Sequence, residues 1–400
     1  MSMTPGGVLL VTPSWGRDGG VAAHVNVAAA ALAERGLTVT VAAARVDNEG
    51  ELPAGVTLCA APSLLDRDRD PEERLGGALS PRPEVIHLHQ IDDDPELVSA
   101  LRTVAPVVIT AHGYTACTSG VHYFRPGEEC TRPHGPGCVP NLLLRGCAHT
   151  RHPKTLPLRY LGASRGRTAL ERADVVISGS RAIDRHLSVN GASRRAIVPY
   201  FPTMEAKPGS GHAGRRRVLF AGRLVRPKGV GVLIRAARTV QAEFVLCGAG
   251  RELEAMRRLA ERLGVGERIR FEGWVEADQL AQEMADSSLV VIPSLWPEPF
   301  GLVGIEAFAA GRPVVASATG GIVDWLQDGV TGLSVPPGDV AALAVALEQL
   351  LADPERQHEM GQAGRAVVSA RYTREHHVTG LLEAYRNARE RWQSAGPDAP

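Results

Sequence analysis

The order of apolar runs and helical stripes is what most constrains this chain. Near the N-terminus, "GGVLLVTPSW" is an apolar run bounded by glycine and proline, the pattern of a strand buried on both faces. A glycine-rich loop, "GRDGG", follows it. Val21, Val25, Ala28 and Leu32 then recur at helical spacing, and Gly36 fits a helix stop. "LTVTVAAA" reads as the next strand. The same β-loop-α-β grammar returns in the second half. "RRVLFAG" is a strand and "RLVRPKG" a loop. Val230, Leu233, Ile234, Ala237 and Val240 form a helical stripe, and "EFVLCGAG" is the following strand. "LVVIPS" and "RPVVAS" are further buried strands. Strands alternating with helices predict parallel sheets covered on both faces. Two such sheets predict an α/β chain of two doubly wound, Rossmann-like domains facing across a cleft, with ligands at the C-terminal ends of strands.

The Pro- and Gly-rich stretch from Val198 to Gly214 marks the boundary. Domains are expected at 1–205 and 206–375. A last helix over 376–392, striped by Val378, Leu381, Leu382, Tyr385 and Ala388, is expected to dock on one of them. The tail 393–400 is expected to be disordered. Hydrophobic residues make up 44% of the chain, enough for a sizeable core. Lys plus Arg and Asp plus Glu both number 44, so whole-chain charge gives no reason to expect nucleic acid or an acidic membrane as a partner. No basic n-region precedes an apolar h-region, and no uncharged run is long enough to span a bilayer. A cytoplasmic protein with reduced cysteines is expected.

The stretch "PSLWPEPFGLVGIEAFAAGRPVVAS" carries two glutamates. Prolines hold "LWPEP" extended, so Glu298 lies in a loop. "GLVGIEAFAAG" fits a short helix closed by Gly311, with Glu306 in its second turn. Even along one helix, eight residues separate the two by roughly 12 Å. Carboxylates that share one glycosidic centre sit about 5 to 9.5 Å apart. A single acid/base pair is therefore disfavoured. Between the glutamates lie the backbone N–H groups of Phe300, Gly301, Leu302 and Val303, a helix N-terminus suited to an anion. The pattern is that of a clamp, and a sugar nucleotide presents hydroxyls, diphosphate and ribose hydroxyls in matching order. Two solvated glutamates are the alternative.

Other loops bear on this choice. "FAGRLVRPKG" offers Arg223 and Lys228 after a strand, where phosphate binding belongs. Gly19 and Gly20 open a helix at the corresponding strand end of the first half. His112 follows the strand of "VVITAHGYT". Each has an ordinary alternative, as a basic surface loop, a turn or a structural histidine.

Taken together, the ordered set "GRDGGVAAHVNVAAAALAERG", "EVIHLHQ", "TAHG", "ADVVISGS", "FAGRLVRPKG", "VLCGAG" and "PEPFGLVGIEAFAAGRPVVAS…GGIVDWLQDGVTGLSVPPGD" resembles the family-4 retaining glycosyltransferases of GT-B fold. The resemblance implies transfer of a hexosyl-type sugar from a nucleotide diphosphate sugar, UDP-linked by expectation, to an acceptor hydroxyl. The acceptor would be a small molecule, a glycan or a lipid, bound mostly by the N-terminal domain. The resemblance gives Arg223 and Lys228 the donor diphosphate, and Glu298 the sugar hydroxyls. The backbone of Phe300, Gly301 and Leu302 takes sugar and phosphate, and Glu306 the ribose. Gly19 and Gly20 allow phosphate approach, and His112 contacts the donor sugar near its C6 hydroxyl or the reacting centre. It implies front-face attack, in which the departing phosphate oxygen helps deprotonate the acceptor and no metal or other cofactor is needed. "IVPYFPTME" departs from the Asn-Gly-Val-Asp-like segment of family members, which puts donor contacts there in doubt. Asp92-Asp93-Asp94 formally contains the D-x-D pattern of metal-dependent transferases, but reads as a solvated loop or helix start.

Four of the six cysteines, Cys117, Cys130, Cys138 and Cys147, fall in a Gly/Pro-rich insert at about 113–155 that has few apolar residues. A structural zinc with four thiolate ligands would staple such a segment, although no C-x-x-C pair is present. Disulfides or four thiols are the alternatives. Arg145, Arg151, Lys154, Arg159, Arg165 and Arg167 form a basic stretch, read as a solvated face. An anionic acceptor or peripheral contact with a membrane surface is the less favoured reading.

Two other functions compete. Gly248 and Gly250 follow a strand and Glu272 lies about 20 residues on, a partial dinucleotide fingerprint that would suit an NAD(P)-dependent oxidoreductase. Its third glycine position is Leu253. A non-catalytic relative that only binds sugar nucleotide is the other alternative.

Overall fold

The computed structural model describes residues 7–16, 20–46, 52–120, 129–144, 147, 155–207 and 216–395. The chain divides into two compact units. The first combines Met1–His122, Thr131–Pro199 and Arg374–Pro400, and the second combines Tyr123–Cys130 and Tyr200–Thr373. The junction falls between Pro199 and Tyr200, a few residues before the expected boundary.

The first unit is built on seven strands: β1 (Gly7–Trp15), β2 (Thr38–Val46), β3 (Val56–Ala60), β4 (Val85–His89), β5 (Val107–Ala111), β6 (Val175–Ser178) and β7 (Arg195–Ile197). They pair in the order β3-β2-β1-β4-β5-β6-β7, all parallel. β4 and β5 are buried at every position, as strands covered on both faces must be. The first expected helix spans Gly20–Glu34 and buries Val25, Ala28 and Leu32; Val21 is only half-buried.

The helix Arg374–Ala395 belongs to the first unit. Val378, Leu381, Tyr385 and Ala388 join one core with Val8, Leu10, Val108 and Val175. The helix runs three residues past Trp392, so Gln393, Ser394 and Ala395 are helical and only residues beyond them lie outside the described chain. Trp392 anchors that end by donating its indole N–H to Arg102 O at 2.6 Å.

The second unit has six parallel strands: β8 (Arg217–Ala221), β9 (Glu243–Cys247), β10 (Ile269–Gly273), β11 (Leu289–Ile292), β12 (Val314–Ser317) and β13 (Gly332–Val335), ordered β10-β9-β8-β11-β12-β13. Alternate residues feed two cores. Val218, Phe220, Phe244 and Leu246 pack on one face, and Leu219, Val245, Val290 and Val314 on the other. The expected helix after β8 is shorter than its stripe, Val230–Ala236, though Ala237 and Val240 are still buried. Among the described residues no helix is long and apolar enough to cross a membrane.

Candidate active site

In the second sheet the chain order reverses between β8 and β11, the place where parallel sheets bind ligands. The loops leaving these two strands carry Arg223, Lys228 and Glu298. Lys228 ends a tight turn, Arg226–Lys228, and Gly229 follows at φ 70°. A Cβ at Gly229 would lie 1.7 Å from Pro293 O, so only glycine lets the two loops touch. The Leu295 N–H donates to Pro227 O at 2.7 Å and stitches them together. Lys228 Nζ then reaches both oxygens of Glu298, at 2.8 and 2.9 Å. The Ser294 hydroxyl donates to the same carboxylate. Nζ also lies 5.7 Å from the Trp296 ring centroid. Glu298 is 2% exposed, so its charge depends on these partners. Its main chain is fixed as well, with Gly321 N–H donating to Glu298 O at 2.7 Å.

Glu298 is followed by Phe300, whose ring is buried between Tyr200 and Tyr372 at 5.1 and 5.9 Å. Gly301, at φ 84°, opens the helix Leu302–Ala309. The amides of Gly301, Leu302 and Val303 fall at the helix start, where N–H groups have no intrahelical acceptor. Glu306 is 7% exposed and accepts from the Thr203 hydroxyl at 2.8 Å. Burial pushes its carboxyl above the ordinary glutamate range, against the opposing pull of the Thr203 hydroxyl and main chain. Glu298 and Glu306 thus have separate partners, and the reading as an acid/base pair stays disfavoured. Neither is a solvated side chain. Thr203 belongs to the segment that departs from the family pattern, and sequence reading did not single it out as a partner of Glu306.

Arg223 is exposed and forms no ion pair among the described residues. The glycines of "VLCGAG" have a structural reason. Gly248 and Gly250 sit at φ 147° and 159°, and a Cβ on them would meet Gly222 O at 1.9 Å and Leu224 O at 2.4 Å. They let β9 lie against the Arg223 loop, joined by Gly222 N–H to Cys247 O (2.9 Å) and Leu224 N–H to Ala249 O (2.8 Å). Glu272 pairs with Arg270 instead of standing ready for a ribose. The dinucleotide fingerprint is therefore corrected to a packing feature of the basic loop.

In the first unit, Gly20 starts its helix facing open space, with no described atom beyond its own helix start and chain neighbours within 4 Å of the point a Cβ would occupy. Gly19 lies outside the described residues. His112 follows β5, and its Nε2 is 3.0 Å from His89 Nδ1. It belongs to a cluster that also contains His24, His87 and His377. The His87–His89, His24–His377 and His89–His112 centroid distances are 4.1, 4.8 and 5.3 Å. His87 is held by Tyr385 Oη at 2.8 Å and Thr110 Oγ1 at 2.7 Å, and His377 Nδ1 meets Pro199 O at 2.8 Å. Burial holds all five titrations below the ordinary range, to about 3 for His87 and about 4 for His377; neighbouring imidazoles reinforce it at His24, His87, His89 and His112, and the Pro199 main chain opposes it at His377. His112 is thus a neutral ring. The signal for this cluster was in the sequence: "HLH" on a strand turns His87 and His89 to the same face.

The aspartate run is the expected helix start, with Asp92 and Asp93 half-buried. Asp94 is buried, caps the helix Pro95–Val104 through the Leu97 N–H, and pairs with Arg74 at 2.7 Å. Asp93 pairs with Arg67 at 2.6 Å. Cys117, Cys130, Cys138 and Cys147 are half-buried. Among the described residues no group of three or more His, Cys, Asp or Glu side chains is placed to hold a metal ion. The Cys117 sulfur lies 3.2 Å from Ser119 Oγ. Arg145, Arg151 and Lys154 lie outside the described residues.

Fold and site define an α/β enzyme in which half-buried Lys228 paired with buried Glu298, and the helix-start amides, flank the switch point of a parallel sheet. Residues 204–367 match the family model for glycosyl transferases group 1, and residues 18–199 that for glycosyltransferase family 4. The chain is 28% identical to D-inositol 3-phosphate glycosyltransferase 1 of Catenulispora acidiphila, over 95% of this chain and 94% of that protein. It is 34% identical to the GDP-mannose-dependent α-(1-6)-phosphatidylinositol monomannoside mannosyltransferase of Mycolicibacterium smegmatis, over 56% of this chain and 67% of that protein. Among solved structures, sucrose-phosphate synthase of Thermosynechococcus elongatus shares the fold, with TM-score 0.73 and 24% identity, over 95% of this chain and 98% of that one. Anabaena HepE in complex with UDP does so with TM-score 0.67 and 19% identity, over 94% and 98%. The chain belongs to the family-4 glycosyltransferases of GT-B fold, and it is an enzyme that transfers a sugar from a nucleotide sugar.

Proposed function

We propose that this enzyme moves a hexosyl group from a nucleotide diphosphate sugar, UDP-linked in the first instance, to a hydroxyl with retention of configuration. The observation that carries this reading is the Lys228–Glu298–Ser294 network beside the exposed Arg223. An ammonium has three donors, so Lys228 can keep Glu298 and still meet a phosphate oxygen. Arg223 can add two parallel donors to the same diphosphate. Both lower the cost of charge on the leaving group as the anomeric C–O bond breaks. The acceptor oxygen bonds to the anomeric carbon from the face the diphosphate leaves. Its proton passes to the departing phosphate oxygen, so no protein nucleophile and no metal are required. Glu298, held by Lys228 and Ser294, is oriented for sugar hydroxyls. Glu306 and the Gly301–Val303 amides serve ribose and phosphate. The first unit contributes the helix start at Gly20 and the neutral His112 ring, and takes the acceptor.

The names of the relatives bear on the open choices. One is GDP-mannose-dependent and one fold neighbour was crystallised with UDP, so both bases belong in the test. Relatives named for D-inositol 3-phosphate and for phosphatidylinositol monomannoside support an acceptor that is a polyol phosphate or a glycolipid. The test is a thermal-shift panel of UDP- and GDP-sugars, followed by product mass and the anomeric configuration by NMR, with and without EDTA. A raised melting temperature with one base, a product of retained configuration and insensitivity to EDTA are expected. No shift with any nucleotide sugar would overturn the donor reading, an inverted product the mechanism, and loss of turnover in EDTA the metal-independence.

A further inference from the structure

The helix Leu156–Arg172 is inside out at its start. It turns Ala163, Gly166, Ala169 and Leu170 inward, and leaves Leu158 71% and Leu161 58% exposed. Gly166 sits against Thr115 and Asp92, so the small residues form the packed face. A helix whose only task is packing places leucine on that side. The preceding helix, Cys138–Leu144, buries Leu142 but leaves Val139 46% and Leu144 83% exposed. Leu144, Leu158 and Leu161 are the three most exposed large apolar side chains among the described residues.

Charge is equally lopsided here. Between Glu129 and Glu171 the sequence contains no Asp or Glu, yet it contains seven Lys and Arg residues, from Arg132 to Arg167. The chain as a whole has equal numbers of each sign. Arg165 and Arg167 are neutralised by Glu96 and Glu171, from outside the acid-free stretch. Arg132 and Arg159 have no carboxylate partner among the described residues, and Arg132 is exposed. Exposed leucines beside unpaired cations, with no acidic residue among them, suit one kind of surface: apolar just below an anionic layer.

We infer that the face of Leu158, Leu161 and Arg159 docks the enzyme peripherally on an anionic lipid bilayer. The leucines enter the headgroup boundary and the cations meet lipid phosphates. This takes up the less favoured reading of the basic stretch, because the structure shows which leucines point outward. Two anchors at the start of one helix give reversible association, not insertion, in keeping with the lack of a membrane-crossing helix among the described residues.

The test is co-sedimentation of the full chain with vesicles of phosphatidylcholine alone and of phosphatidylcholine with phosphatidylglycerol. It needs no donor, so its result is independent of the donor reading. Binding is expected only with phosphatidylglycerol, falling as salt rises. The double substitution Leu158→Ser/Leu161→Ser is expected to lower the partition coefficient at least about tenfold, since each loses several buried CH₂ groups. Arg159→Glu is expected to weaken binding and flatten its salt dependence. Both variants alter exposed or half-buried positions, and unchanged circular dichroism and melting would certify their folding. Lack of wild-type binding to anionic vesicles, or binding indifferent to both variants, overturns the inference. Leucine-dependent self-association without vesicle binding would instead make the face a contact between copies of the chain, and would overturn it too.

Discussion

Lys228 has two duties that a substitution cannot separate cleanly. In the proposed mechanism it stabilises the leaving diphosphate, and it also pairs with Glu298. Lys228→Ala should lower turnover by at least about 100-fold, the scale of a lost charge-stabilising donor. It should also cost stability, about 1–3 kcal/mol, because the buried Glu298 carboxyl is left with only Ser294 near it. The double variant Lys228→Met/Glu298→Gln should recover most of that stability and none of the turnover. Turnover restored in the double variant would remove Lys228 from the chemistry. Asp92 offers a second test. Burial raises its carboxyl from 3.8 to about 6, against the Thr115 hydroxyl that lowers it. A raised carboxyl favours the folded state below the unfolded value and loses that advantage as pH rises through the folded one. Asp92→Asn should therefore stabilise the protein above pH 6, by about 1–2 kcal/mol once partial exposure is allowed for, and do nothing near pH 4. Melts at the two pH values check this, and equal shifts at both would dissociate the effect from ionisation.

At the scale of elements, the helix Leu302–Ala309 depends on one indole. A Cβ at Gly304 would lie 2.0 Å from the Trp325 ring, which is buried and donates its N–H to Phe300 O at 2.7 Å. Gly304→Ala should cost about 2–3 kcal/mol by overpacking, read as a lower denaturant midpoint at unchanged slope. The histidine cluster makes a different prediction. An unfolded histidine titrates near about 6.5, whereas His87 and His377 titrate at about 3 and 4 in the fold. The unfolded chain therefore takes up protons first. The stability the neutral rings give is complete above the unfolded value and lost as pH falls from about 6.5 towards 4. Melting temperature should fall across that window, and His377→Gln should make the slope shallower. An identical slope in the variant would exclude this ring as a cause.

At the scale of the molecule, the C-terminal helix decides whether the first unit stands. Val378, Leu381 and Tyr385 are buried in its core. Three such side chains, at about 2–4 kcal/mol each, match the whole margin of a typical domain. A chain ending before Arg374 should lose hydrogen-exchange protection in β1, β4, β5 and β6 while β8, β9 and β11 keep theirs. Equal protection in both units would refute the dependence. Most of the architecture was legible beforehand, because buried parallel strands announce themselves as continuous apolar runs: "VLLV", "VLFA" and "LVVI" all became strands. Much of the site was legible too, since the Pro-flanked Glu298 and the helix carrying Glu306 follow from local backbone rules. Long-range partners were not. Nothing near Glu306 in sequence points to Thr203, and nothing near Lys228 shows that its ammonium faces Glu298, 70 residues away. The dinucleotide-like glycines misled for the same reason, because a local pattern does not reveal which backbone lies against it. The sequence by itself determined the two sheets, the loops that carry the chemistry and the separation of the two carboxylates, all set by short-range periodicity and backbone restriction. The tertiary structure decided which charges pair, which histidines share one buried face and which leucines stay in water, because burial and desolvation depend on distant segments brought together.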